Sequence, residues 1–291
     1  MHGRTHLTLS VTGIPMWRLD EKLVREDIFF LDRPYSLEKS DEEAMNHTLQ
    51  QLESILEEHG EKIAAMILEP IQGNGGIIMY HRDFIIKAKA LLEHYGVLLI
   101  VDEVQTGYGR TGKMFGINHY EVVPDIIVTA KALGNGIPIS TFSTTDAIAQ
   151  SFNKASSSTF GGNPVAATTA LSVLNNIEQH GLVQRAEELG SYLKERLQEI
   201  SSPFIQEIRG VGLMLGLQIQ AINDEVSSAQ ITDIILEEMK DRGFLIGKNG
   251  LNRDCLAFQP PLVIEKDDLN AMLSNLIEVL SGILDRLTVT I

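Results

Sequence analysis

The chain has 291 residues, 44% of them hydrophobic, and a formal net charge of −15. That is enough apolar material for two domains with buried cores, and the acidic balance excludes the basic face that nucleic-acid binding requires. No apolar run approaches the ~20 residues that cross a bilayer, the start MHGRTHLTLSVTG has no signal-peptide core, and the single Cys255 excludes an internal disulfide, so a cytoplasmic protein with no membrane partner is expected.

In chain order, Ser40 and Glu43 form a capping box, and Met45, Leu49, Leu52 and Leu56 continue one helical apolar face until Gly60. A short apolar run, Ile63 to Leu68, ends at Glu69-Pro70. A second helical stretch, Phe84 to Tyr95, stops at Gly96, and the apolar run Val97 to Val101 ends at Asp102. A third run, Ile126 to Val128, leads into Thr129-Ala130-Lys131. Buried apolar strands alternating with amphipathic helices predict an α/β fold with a parallel sheet covered on both faces.

The second half changes character. Asn163-Pro164 opens a helix, with proline at its first position. Helical patterns over Ala166 to Ile177 and Leu182 to Ile200 end at Ser201-Ser202-Pro203. Then come strand-like stretches at Ile205 to Ile208 and RGVGLMLGLQI, a helix around Ile231 to Met239, a strand over Phe244 to Ile246 and a closing helix from Asp268 to about Leu287. These predict a smaller C-terminal α+β domain over residues 180–291, after a large domain over residues 1–179.

Ligands of open α/β sheets bind beyond the carboxyl ends of the strands. Glu69, Asp102 and Lys131 each lie at such an end. A desolvated lysine loses its proton readily and becomes a nucleophile or proton carrier, and the glycines of ALGNGIP after Lys131 let backbone bend close to a ligand. A carboxylate ending a buried strand needs a partner, and Asp102 is such a group. The eight histidines form no HExxH pair or other metal-ligand spacing, so no metal is expected. Cys255 reads as a small buried apolar residue.

Six segments now form one pattern: HGRT (2–5), LEPIQGNGG (68–76), VDEVQTGYGRTG (101–112), TAKALGNGIP (129–138), STFGGNP (158–164) and RGVGLMLG (209–216). In order and spacing they resemble the class III aminotransferases, a branch of the fold-type-I pyridoxal-phosphate (PLP) enzymes. The wording around 141–152 and 244–264 looks most like the alanine–glyoxylate and β-alanine–pyruvate branch. The resemblance implies PLP as cofactor and transfer of an amino group between an amino acid or ω-amine and a 2-oxo acid. It makes Lys131 the Schiff-base lysine and Asp102 the partner of the pyridine nitrogen. Val104, two residues on in a segment read as extended, would pack on the ring, and Gln105 would bond its 3-oxygen. Thr159 matches a threonine that reaches the phosphate of the neighbouring subunit, which implies a homodimer with shared sites. Glu69 matches a glutamate on the substrate side of the cofactor.

Two departures accompany the resemblance. Relatives carry a phosphate-cradling Gly-Ser/Thr-Glu loop and an aromatic before the HG segment, so the chain reads as N-terminally truncated, with an incomplete large domain and weak cofactor binding on its own. Many members also place a carboxylate-binding arginine where Ala257 stands in DCLAFQPPL. Arg110 and Arg209 read as loop ties. Racemase or aminomutase chemistry on the same residues, or a catalytically impaired dimerising remnant, are the alternatives.

Overall fold

The computed structural model describes residues 1–288 apart from residues 19, 21, 23 and 224. In chain order the helices and strands are α1 (His6–Ser10), α2 (Asp41–His59), β1 (Ala65–Leu68), β2 (Ile71–Gln72), β3 (Ile78–Met79), α3 (Arg82–His94), β4 (Leu98–Asp102), β5 (Ile126–Thr129), β6 (Thr141–Thr144), α4 (Asp146–Ala149), α5 (Pro164–Gln179), α6 (Leu182–Gln198), β7 (Ile205–Val211), β8 (Met214–Ile219), α7 (Ser228–Asp241), β9 (Gly247–Asn249), β10 (Cys255–Phe258) and α8 (Lys266–Thr288). They cluster into two compact units. The first comprises Met1–Pro70, Met79–Gly107 and Phe115–Asn176; the second comprises Ile71–Ile78, Tyr108–Met114 and Ile177–Ile291.

The first unit is built on a sheet of order β1-β4-β5-β6. β1 pairs parallel with β4, and β4 parallel with β5. The edge strand β6 runs antiparallel to β5, which makes the sheet mostly rather than wholly parallel. A parallel return needs a crossover of about a dozen or more residues, usually helical, and the link from Thr129 to Thr141 holds a short 3-10 turn instead. Its Thr-Phe-Ser-Thr sequence carries little apolar signal, and Phe142 is exposed.

The capping box forms as read. Ser40 Oγ accepts the Glu43 N–H at 3.3 Å and Glu43 Oε2 accepts the Ser40 N–H at 3.0 Å. Met45, Leu52 and Leu56 of α2 then pack with Phe84, Ile85, Ala88 and Leu92 of α3 against Leu99 and Val101 of β4. Leu98 and Ile100, on the opposite face of β4, are half-buried. Pro164 begins α5 behind an Asn163 side chain that accepts the Ala166 N–H at 3.0 Å.

The second unit carries an antiparallel sheet of order β7-β8-β10-β9. Leu193 and Leu197 of α6, Ile231 and Ile235 of α7 and Leu276 of α8 pack with Leu217 and Leu256 of the sheet. The strand expected over Phe244–Ile246 lies three residues later, at Gly247–Asn249. Its register is set by pairing Asn249 with Cys255 and Gly247 with Ala257, while Phe244 and Ile246 pack on the core from an irregular link. The fully buried strand β10 had no separate signal in the sequence. Arg110 and Arg209 tie loops, as expected: Arg110 donates to the carbonyls of Leu213 and Pro260, and Arg209 to that of Gly76 at 2.7 Å, to Glu207 and to Gln218. Burial pushes the Arg110 pKa down to about 10. Cys255 is buried and its thiol pKa is pushed up to about 11 by desolvation, which leaves it unreactive at neutral pH.

Candidate active site

Glu69 follows the last residue of β1, Asp102 ends β4, and Lys131 comes two residues after β5. Because β4 lies between β1 and β5 in the parallel part of the sheet, the three groups emerge from adjacent strand ends on one edge. The strands end there because each apolar run stops at a charged or polar residue that the sheet interior cannot take.

Lys131 opens the 3-10 turn Lys131–Gly134 and sits at φ +45°, in the left-handed region, followed by Asn135 at φ +43°. Side chains adopt that region at a cost of about 1–3 kcal/mol. The conformation turns the chain sharply out of β5 and holds the lysine at the sheet edge. Burial of the amine lowers the Lys131 pKa, while the nearby charges of Glu69 and Asp102 act to raise it. The residue's surface is nevertheless in good part open to solvent. The amine is therefore both accessible and eased toward its neutral, nucleophilic form.

Asp102 is only 5% exposed. Its Oδ2 lies 2.7 Å from His2 Nδ1, and its Oδ1 accepts the Val104 N–H at 3.0 Å. The segment after Asp102 does not continue extended as read. The Asp102 side chain captures the Val104 amide and the Glu103 carbonyl accepts the Gly107 N–H at 2.9 Å, so the chain turns at once. Val104 and Gln105, both half-buried, lie on this turn. The Met1 nitrogen lies 2.6 Å from Glu69 Oε1.

Glu103 is 1% exposed and belongs to the structure rather than to the open edge. Its carboxylate accepts the amides of Gly116 at 2.8 Å and Ile117 at 2.7 Å and the Thr106 hydroxyl. Desolvation raises its pKa against the pull of those donors. Thr159 lies in an exposed irregular stretch between α4 and α5 and makes no hydrogen bond to Lys131, Asp102 or Glu69 among the described residues. Ala257 is buried in the middle of β10, with Gly216 and Gly247 as its cross-strand neighbours, so no cation stands at that position.

The structure thus brings Glu69, Asp102, Val104, Gln105 and Lys131 to one sheet edge and leaves Thr159 outside it. Sequence reasoning passed over His2 and Glu103. The HG pair is visible in the sequence, but nothing local links it to Asp102, 100 residues away. No cluster of His, Cys, Asp or Glu that could hold a metal occurs among the described residues, and no described helix is long and apolar enough to cross a membrane.

Lys131 and the buried Asp102 stand at the carboxyl edge of an α/β sheet, and the fold is that of the fold-type-I PLP transaminases. The chain belongs to the class-III aminotransferase family, whose profile matches residues 1–280. It is 40% identical to an ornithine aminotransferase of Brevibacillus brevis, over 75% of this chain and 52% of that protein. It is 36% identical to an acetylornithine aminotransferase of Aquifex aeolicus, over 96% of this chain and 66% of that one. It is also 37% identical to an alanine–glyoxylate aminotransferase 2 homolog 2 of Arabidopsis thaliana, over 92% of this chain and 57% of that one. A solved structure of a transaminase with L-alanine superposes with a TM-score of 0.88 at 32% identity, over 99% of this chain and 67% of that one. The chain spans between about half and two thirds of the length of these curated relatives.

Proposed function

We propose that the chain carries the catalytic lysine of a PLP-dependent transaminase that moves an amino group between an amino acid or ω-amine and a 2-oxo acid. The observation that supports this most directly is the placement of Lys131 beside Asp102 and Glu69 at three adjacent strand ends, in a chain of this family. The residues fit the cofactor's ring end chemically. They offer a primary amine whose pKa burial lowers, for an aldehyde, and a buried carboxylate already oriented by His2, for a cationic ring nitrogen.

When bound, PLP supplies an electron sink for negative charge on the substrate carbon. Lys131 would provide the covalent anchor, and its amine would carry a proton at Nζ. Asp102 would hold the cofactor's ring end by its negative charge, and His2 keeps that carboxylate in one orientation. Val104 and Gln105 offer an apolar face and an amide from the turn that Asp102 organises. Glu69 presents a carboxylate on the substrate side. Thr159 serves the phosphate of a neighbouring subunit, a role its exposed position supports. In this reading residues 1–179 bind the cofactor and residues 180–291 form the smaller domain of a cytoplasmic homodimer.

The test is borohydride reduction of the full chain with PLP, followed by peptide mapping. The label is expected on Lys131; a label on Lys113 or Lys154 instead overturns the assignment. One relative, at 38% identity, is a leucine/methionine racemase of Thermococcus litoralis, which favours racemisation as the second reading. Inversion of an amino acid with no 2-oxo acid consumed would establish that reading over transamination.

A further inference from the structure

Two buried phenols lie directly behind Glu69. The Tyr80 hydroxyl donates to the Glu69 carbonyl at 2.8 Å, and the Tyr120 hydroxyl donates to the Pro70 carbonyl at 2.9 Å. The Tyr80 backbone N–H in turn donates to the Tyr120 oxygen at 3.2 Å, so Tyr120 is tied to the backbone of Tyr80 as well as to Pro70. Tyr120 is 2% exposed, and its pKa is pushed up to about 12, chiefly by burial, so it remains a donor throughout the working range. The Pro70 ring is held from the other side. A Cβ added at Gly116 would come within 2.8 Å of Thr106 Cβ and 3.0 Å of Pro70 Cγ, which shows how closely these backbones approach. Gly116 itself is pinned by the buried Glu103 carboxylate, and Tyr120 follows on the same short turn, its N–H bonded to the Ile117 carbonyl at 2.9 Å.

Both carbonyls that follow the Glu69 α-carbon are thus fixed, and with them the direction in which the Glu69 side chain leaves the backbone. We infer that Tyr120, with Tyr80, is a positioning residue for Glu69, setting where its carboxylate stands relative to Lys131. The inference rests on the reading of Glu69 and Lys131 as partners at one site. Among the described residues, the groups that face this pair include the Met1 nitrogen on Glu69, Asp102 on Lys131 and His2 on Asp102; Glu103 acts on Tyr120.

The experiment reads Lys131 without any turnover. The full chain, before addition of PLP, is treated with trinitrobenzenesulfonate across a pH series, and modification of Lys131 is followed by peptide mapping. Because the Glu69 carboxylate raises the Lys131 pKa, Glu69→Gln is expected to move the midpoint of labelling to lower pH. Tyr120→Phe keeps the ring and removes only the hydroxyl; it is expected to move the midpoint in the same direction by a smaller step. The double variant should move no further than Glu69→Gln alone, since the phenol acts only through the carboxylate. Circular dichroism of Tyr120→Phe checks that the fold is kept, and Tyr80→Phe gives a second route to the same cycle if it is not. A wild-type midpoint in the tyrosine variants beside a shifted one in Glu69→Gln, or a double variant whose shift is the sum of the singles, overturns the inference alone. A wild-type midpoint in Glu69→Gln overturns it together with the role given to Glu69.

Discussion

Asp102 and Glu103 are adjacent acids with opposite surroundings. Asp102 faces a histidine at the sheet edge, while Glu103 turns inward to three neutral donors. Asp102→Ala should leave Lys131 able to take the reduced label but depress turnover by about a hundredfold or more, the scale of losing one preorganised electrostatic contact. A variant that keeps most of its activity would remove Asp102 from the mechanism. For Glu103 the consequence is thermodynamic. Burial raises its folded-state pKa above that of the unfolded chain, so the folded state keeps a proton over a window where the unfolded state has lost it. The stability from this group is full below the ordinary carboxylate range and is lost as pH rises through the raised value. Glu103→Gln should therefore be less stable than wild type by about 1–3 kcal/mol at acid pH, from an imperfectly paired buried amide, and the deficit should shrink as pH rises. Urea unfolding at several pH values measures this; a deficit that widens with pH contradicts it.

At the level of elements, α6 meets the turn between β7 and β8 backbone against backbone. A Cβ on Gly190, inside α6, would lie 2.1 Å from the Gly212 carbonyl oxygen. Gly212, at φ +57°, in turn abuts the Thr111–Gly112 backbone. Replacing a helix-interior glycine by alanine ordinarily gains up to about 1 kcal/mol of propensity. Here overlap with rigid backbone opposes it, and overpacking of this kind costs about 1–3 kcal/mol. Gly190→Ala is accordingly expected to lower the melting temperature despite its better helix propensity. A higher melting temperature would mean that α6 does not pack on this turn.

For the whole molecule, the first unit exposes apolar side chains along one stretch of the chain. Phe160 is 79% exposed, and Phe142, Phe152, Val165 and Leu171 are also largely open. Such residues on and around β6 and α5 support the proposed homodimer. If Thr159 serves the neighbouring subunit's site, inactive Lys131→Ala chains mixed with inactive Thr159→Ala chains should recover activity. A heterodimer then has one site with both wild-type residues, so about a quarter of the activity is expected at random equimolar mixing. No recovery from heterodimers shown to form by mass would place Thr159 in its own subunit's site or in none.

Local pattern in the sequence determined a good deal of this protein. An apolar run that stops at a charged or polar residue marks a strand end, and that rule placed Glu69, Asp102 and Lys131 at or just past strand ends; a serine three residues before a glutamate marked the start of α2. The motifs, taken in order, carried the family. What tertiary structure alone decided is which distant residues meet. The order β1-β4-β5, the antiparallel β6 and the position of β9 follow from pairing and register with partners far along the chain. His2 reaches Asp102 across 100 residues and Tyr120 reaches Pro70 across 50. Periodicity reports the face a residue presents to its own element, and it is silent on what the fold brings to that face.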